Sequence, residues 1–175
     1  MESVEVTTGD ITTFEASAIV NAANYRLRRG SGIDGAIHRA AGDRLQQELT
    51  KNWPRGGDVG GAYTTDAYQI NTTEYVIHAV GPDYNAVQGI EANNQLRSAY
   101  INSLQRATEI QAESIVFPAI STGIFAFPRA IATGIALTAV RNFIDANPEG
   151  TLDRVVFLLL RTADEGLAQY SQQFQ

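Results

Sequence analysis

Asn24, Asp34 and His38 stand ten and then four residues apart along the glycine-broken stretch NYRLRRGSGIDGAIH, and they bring an amide, a carboxylate and an imidazole together. An amide can hold a sugar hydroxyl. A carboxylate can hold a hydroxyl or polarise a water, and an imidazole one helical turn later can steady or move a proton. The glycines between them, Gly30, Gly32 and Gly35, let backbone N–H groups converge on an anion at a helix start. The stretch therefore suits a phosphate with a hydroxyl nearby. Each residue also has an ordinary use: Asn24 in turn backbone, Asp34 as a helix cap, His38 as a packed helix residue.

Ser121-Thr122-Gly123-Ile124-Phe125, between Pro118 and Pro128, forms a second small-residue loop. A nucleophile elbow at Ser121 would need G-x-S-x-G, and Ala119 replaces its first glycine. A second phosphate cradle suits these residues better than a nucleophile, and a plain turn is the bland alternative. Gly30 to Gly35 also matches G-x-G-x-x-G, the dinucleotide fingerprint. That fingerprint needs its first glycine directly off a strand and an acid ending the next strand about twenty residues on. Here the strand ends near Asn21, and position 55 lies in a loop, so the match is accidental. Lys51 is the only lysine and no G-x-x-x-x-G-K-[ST] occurs, which excludes a P-loop NTPase. His78, inside an apolar run, reads as a buried, hydrogen-bonded histidine.

The elements that must position these loops follow from periodicity. Strands are expected at Val4–Val6, Ala18–Asn21, Ala62–Thr65, Tyr75–Val80, Ser114–Ile120 and Val155–Leu160. Helices are expected at Asp34–Leu49, Asn94–Glu109, Arg129–Ala146 and Gly166–Phe174. Asn52–Gly61, with Pro54 and four glycines, is a loop. Alternating strands and helices with continuously apolar central strands imply a largely parallel sheet covered on both faces. Ligands of such sheets sit beyond the carboxyl ends of the strands, where both glycine loops lie.

The 175 residues, 44% of them hydrophobic, suit one compact domain over residues 1–175. The absence of cysteine removes disulfides, thiolate catalysis and cysteine-ligated zinc, and with only two histidines a histidine metal site is not expected. A polar N-terminus and the lack of a long apolar run lead us to expect a cytoplasmic protein without a membrane partner. A net charge of −6 argues against general nucleic-acid binding, although Arg26, Arg28 and Arg29 crowd the glycine loop.

Five segments in order resemble the motifs of macrodomains. They are Gly9-Asp-Ile-Thr12, Ala18-Ile-Val-Asn-Ala-Ala-Asn24, Ile33-Asp-Gly-Ala-Ile-His-Arg-Ala-Ala-Gly42, Val76-Ile-His-Ala-Val-Gly-Pro82 and Phe117-Pro-Ala-Ile-Ser-Thr-Gly-Ile-Phe125. The Asn24–Asp34–His38 steps look like the MacroD-type branch, which includes hydrolases of ADP-ribosylated proteins and of O-acetyl-ADP-ribose. The resemblance implies a three-layer α/β/α sandwich with a mixed, largely parallel sheet; we expect a monomer with no cofactor or metal. It implies that ADP-ribose, on a protein or as the O-acetyl ester, is the partner.

By that resemblance Asp10 accepts from the adenine amino group with the Ile11 backbone nearby, and Ala22 belongs to the binding set. Gly30, Ser31, Gly32 and Ile33 cradle one side of the diphosphate, and Ser121, Thr122, Gly123, Ile124 and Phe125 the other. Phe125 also packs along the distal ribose, which Asn24 holds. Asp34 orients or activates the attacking water, and His38 supports loop and helix. The alternative is a module that binds ADP-ribose without turning it over. Arg29 and Ser31 interrupt the usual run of glycines, so a positive backbone angle at Ser31 would carry strain of about 1 kcal/mol. Arg28 and Arg29 could gate the crevice or add phosphate affinity. Ala126 replaces a glycine in the Phe125–Pro128 turn, and Leu160-Arg161 replaces an aromatic that stacks on adenine.

Overall fold

A computed structural model describes residues 3–159. Its elements are β1 (Ser3–Thr8), β2 (Ala18–Ala23), α1 (Gly32–Ala41), α2 (Arg44–Asn52), β3 (Ala62–Asp66), β4 (Tyr75–Val80), α3 (Gly89–Glu109), β5 (Ser114–Phe117), α4 (Arg129–Ala146) and β6 (Arg154–Leu159). The six strands form one sheet in the order β1-β6-β5-β2-β4-β3. Neighbours run parallel except edge strand β3, which is antiparallel to β4. The architecture is α/β with a mixed, largely parallel sheet, as expected.

The two-residue period of the strands divides the core between the sheet's faces. Val20, Ile77, Phe117 and Phe157 share one cluster with Leu96 and Leu104 of α3 and Ala136 and Val140 of α4. Ile19, Val76, Val116 and Val156, each one residue out of phase, join Ile37 and Ala41 of α1 and Leu45 of α2. Both faces are covered, which is why the central strands are apolar throughout. No helix among the described residues is long and apolar enough to cross a membrane.

Several boundaries differ from expectation, two of them for a clear local reason. The single helix expected over Asp34–Leu49 is two, because Gly42 takes φ 87° and donates its N–H to His38 O, ending α1. Leu45 and Leu49 stay buried on the second segment, so the apolar spacing was sound while the continuity was not. The strand expected to reach Ile120 stops at Phe117, since Pro118 has no N–H for the ladder. The Ile120 N–H donates instead to the Tyr100 hydroxyl at 3.2 Å. Helix α3 begins at Gly89, earlier than Asn94, and β6 ends its described course at Leu159. Leu160-Arg161 and the helix expected at Gly166–Phe174 lie outside the described residues.

Because β1, β6, β5, β2 and β4 run in one direction, their carboxyl ends share one edge of the sheet. The chain leaves that edge through residues 9–17, 24–31, 81–88 and 118–128. The last two segments are laced together: the Tyr84 N–H donates to Phe125 O at 2.8 Å, and Asn85 Nδ2 to Ile124 O at 3.0 Å.

Candidate functional site

Asp34 is buried at the first turn of α1, against β2 and the 24–31 loop. Its Oδ1 accepts from Asn21 Nδ2 at 2.6 Å and lies 3.5 Å from His38 Nε2, while Oδ2 accepts the Gly30 N–H at 2.5 Å. Burial pushes the carboxyl up, but the bonds from His38, Asn21 and Gly30 outweigh it, and the group is held below its usual range. Asp34 is therefore an ionised carboxylate that fastens the glycine loop to the helix below it. Helical geometry brings His38 back over Asp34, four residues later, and both point toward the sheet.

The chain of bonds continues into the sheet. Asn21 Nδ2 lies 3.1 Å from His78 Nδ1, and His78 Nε2 lies 2.9 Å from Thr65 Oγ1. Thr65 Oγ1 donates its one proton to Asp66 O at 3.1 Å, so His78 Nε2 must be the donor to Thr65. His78 Nδ1 is then the acceptor, and the two amide hydrogens of Asn21 go to Asp34 and to His78. The tautomer is set by this bookkeeping of protons. Complete burial pushes His78 down to about 3, with His38 adding to the effect and Asp34 opposing it. His78 is neutral at physiological pH, which agrees with the expected buried, hydrogen-bonded histidine.

Asn24 lies at the end of β2 and is tied into the loop itself. Its Nδ2 donates to Arg28 O at 2.8 Å, and its backbone O accepts from the Leu27 N–H at 3.0 Å. The loop then rests on α2: Gln46 Nε2 donates to Leu27 O at 2.9 Å, and Gln46 Oε1 accepts the Arg29 N–H at 2.8 Å. Gly35 packs under the loop so tightly that a Cβ there would lie 2.7 Å from Gly30 O. Gly30 has its own Cβ position 3.4 Å from Asp34 Oδ2 and 3.6 Å from Asn24 Nδ2. The loop, Asn24 and Asp34 thus form one unit.

Ser31 does not carry the strain anticipated for it. It is the N-cap of α1 with φ −103°, an extended conformation, and the positive angle falls on Gly32 at φ 62°. The Ser31 side chain makes no cap bond, and the first-turn N–H groups of α1, which have no acceptor within the helix, are the donors that a helix start offers to an anion. Across the edge, Ser121 adopts φ 66° with a buried hydroxyl that has no partner among the described residues. Gly32 and Gly123 both open onto free space, with no atom within 4 Å of a Cβ built on either. Ile124 is exposed, Phe125 is half-buried, and Thr122 Oγ1 donates to Ala119 O at 2.8 Å. Asp10 is exposed at the end of β1, with Oδ1 accepting from the Thr12 N–H at 2.9 Å, and Ile11 beside it is buried. Ala22 is half-buried on β2, two residues before Asn24.

A Macro domain family model matches residues 20–136. The chain belongs to the Macro domain family. It is 41% identical over 171 residues to the O-acetyl-ADP-ribose deacetylase of Enterobacter sp. strain 638, covering 97% of this chain and 91% of that protein. It is 41% identical over 163 residues to the ADP-ribose glycohydrolase MACROD2 of Xenopus laevis, covering 93% of this chain and 38% of that one. An uncharacterised Thermotoga maritima protein is 43% identical over 156 residues, 88% of this chain and 26% of its own length. The chain thus spans well under half of these last two relatives. The Oceanobacillus iheyensis macrodomain solved with ADP superposes with a TM-score of 0.89 at 32% identity, covering 99% of this chain and 90% of that one. The Trypanosoma brucei macrodomain in complex with ADP-ribose gives 0.88 at 32%, covering 98% and 69%.

Sequence reasoning missed the support beneath Asp34. Asn21, Thr65 and His78 share the phase or register of Ile19 and Val76, so they face α1, and a polar residue in such a phase was the available signal. It also missed Gly81, where a Cβ would overlap Ser121 Oγ and come within 2.5 Å of Ile120 Cγ2. That glycine seats the second loop.

Proposed function

We propose that the crevice between the 24–31 and 118–128 loops binds ADP-ribose and that the chain hydrolyses ADP-ribosyl esters, of modified Asp or Glu side chains or of O-acetyl-ADP-ribose. The observation that carries the reading is Asp34: a buried, ionised carboxylate that fastens the anion-seeking loop beside Asn24. The diphosphate is met by the α1 N-terminus, through Gly30 to Ile33, and by Ser121 to Phe125 opposite. Asp10 receives the adenine amino group, next to Ile11, and Asn24 the distal ribose, with Ala22 on the strand beneath.

For an acceptor carboxylate esterified at the anomeric carbon, a water directed by Asp34 and the diphosphate attacks that carbon. The bond from it to the ester oxygen breaks, the acceptor leaves as a carboxylate, and the water's proton passes to a neighbouring anionic oxygen. For O-acetyl-ADP-ribose, whose ester lies on another ribose hydroxyl, the same water attacks the acetyl carbonyl carbon. The acyl–oxygen bond breaks, and the freed ribose oxygen takes the water's proton as acetate leaves. A carboxylate held below its usual range is a weak base, so Asp34 acts by orientation and charge more than by full proton removal. His38 holds Asp34 from beneath. The names of the Enterobacter and Xenopus relatives support a hydrolase over a passive binder.

One observation favours a binder: both Asp34 oxygens already have protein partners. Incubation with an automodified ADP-ribosyl acceptor and with O-acetyl-ADP-ribose, alongside calorimetry with ADP-ribose, separates the two. Release from either substrate is expected. Binding without release from either would replace the hydrolase by the reader, and no binding would sink both.

A further inference from the structure

Seven of the thirteen cationic residues, but only three of the nineteen acids, lie between residues 24 and 56. That segment carries a surplus of four positive charges in a chain of net charge −6, leaving −10 on the remainder. Among the described residues the carboxylate ion pairs involve His38, Arg106 and Arg154, so none of these seven cations has a carboxylate within 4.0 Å. Five of them, Arg26, Arg28, Arg29, Lys51 and Arg55, are exposed on one built ledge. The ledge is held by Arg28 Nη1 donating to Thr50 Oγ1 at 3.1 Å and the Gly57 N–H donating to Tyr25 O at 2.7 Å. Gly56 lies so close that a Cβ there would meet Arg26 Cα at 3.0 Å. Trp53, edge-on to Tyr63 with ring centres 5.1 Å apart, stiffens it from below. The same loop contains Asn24 and Gly30, so the ledge borders the mouth of the crevice on its distal-ribose side.

Cationic groups without a carboxylate partner on a preformed surface attract anions at little ordering cost. We infer that this ledge recognises the acceptor, and that the preferred acceptor is a peptide whose modified residue is flanked by further Asp and Glu. The inference rests on the hydrolase reading above. A short acidic segment matches a ledge of this extent. A long nucleic-acid backbone would leave it and cross a surface that is strongly negative elsewhere.

The test compares an ADP-ribosylated peptide with Asp/Glu flanks, the same peptide with Gln/Ser flanks, an oligonucleotide ADP-ribosylated on its terminal phosphate, and O-acetyl-ADP-ribose. Fluorescence anisotropy of the labelled, unmodified acidic peptide runs in parallel. Acidic flanks are expected to raise kcat/KM about tenfold over neutral flanks, and the advantage should fade between about 50 and 300 mM NaCl. In the triple variant Arg26→Gln/Lys51→Gln/Arg55→Gln the advantage and the anisotropy signal should go, with O-acetyl-ADP-ribose turnover and melting temperature unchanged. Equal rates with both flanks, a faster oligonucleotide, or equal loss on every substrate in the variant would each overturn the inference. No release from any substrate would overturn the hydrolase reading, and the anisotropy difference between wild type and variant would then decide the ledge alone.

Discussion

Replacing Asn21 by Asp swaps the amide nitrogen at the centre of the buried network for an oxygen, with almost no change of volume. The new oxygen would face Asp34 Oδ1 at the 2.6 Å that Asn21 Nδ2 now occupies. Two full charges at that distance repel by about 6 kcal/mol at an effective dielectric constant of 20. Holding one proton at pH 7 on a carboxyl that would ionise near pH 4 costs about 4 kcal/mol, so the network takes up the proton. It makes no difference to the sign whether that proton lies between the carboxylates or on His78 Nδ1. Either way the folded variant binds one proton more than the folded wild type, while above about pH 5 the unfolded chains bind equally. A group whose folded pKa is raised stabilises below its unfolded pKa and loses that contribution as pH rises. The deficit of Asn21→Asp relative to wild type should therefore grow by about 1.4 kcal/mol per pH unit, or about 3 kcal/mol between pH 5 and 7. At roughly 2–4 °C per kcal/mol for a chain of this size, the gap in Tm should widen by roughly 5–11 °C. Urea unfolding and calorimetry of both proteins at pH 5, 6 and 7 measure it. A gap independent of pH would show that Asn21 does not bridge Asp34 and His78.

Wild type should itself lose stability on acidification. His78 is held neutral down to about 3, whereas in the unfolded chain it protonates near 6.5, so stability drains as pH falls between those values, by up to roughly 5 kcal/mol. His78→Gln should flatten that limb in acid-unfolding curves, and an unchanged slope would reject a neutral His78. Gly81→Ala should push the 118–128 loop off its seat, costing about 1–3 kcal/mol in stability and weakening ADP-ribose binding in calorimetry. Unchanged affinity would remove that loop from the binding site. Ala126→Gly should raise the Tm, because Ala126 holds φ 58° and relief of that strain exceeds the added freedom of the unfolded chain by up to about 1 kcal/mol. A lower Tm would deny the strain.

Much of this was legible in one dimension because the periods of strand and helix are rigid. Ala18–Asn21, Tyr75–Val80 and, as far as its described residues reach, Val155–Leu160 declared themselves as buried strands, and the columns of Arg129–Ala146 gave that helix its observed bounds. Gly42 was read as part of a helix because one glycine within an alanine-rich run does not announce a left-handed angle. Ser31 looked strained for the complementary reason: the positive angle can settle on any of several adjacent residues, and here Gly32 and Leu27 take it.

The sequence by itself determined the alternation of elements, the two glycine loops at strand ends and the Asn24–Asp34–His38 spacing, because each is a matter of local chemistry and fixed period. Only the tertiary structure decided what Asp34 touches. Asn21 lies thirteen residues from it and His78 forty-four, and they meet only because parallel β2 and β4 place both side chains on the face that α1 covers. The cationic ledge has the same origin. Its residues are scattered over a loop, a helix and a turn, and their lack of carboxylate neighbours among the described residues is a fact of packing that no linear count of charges contains.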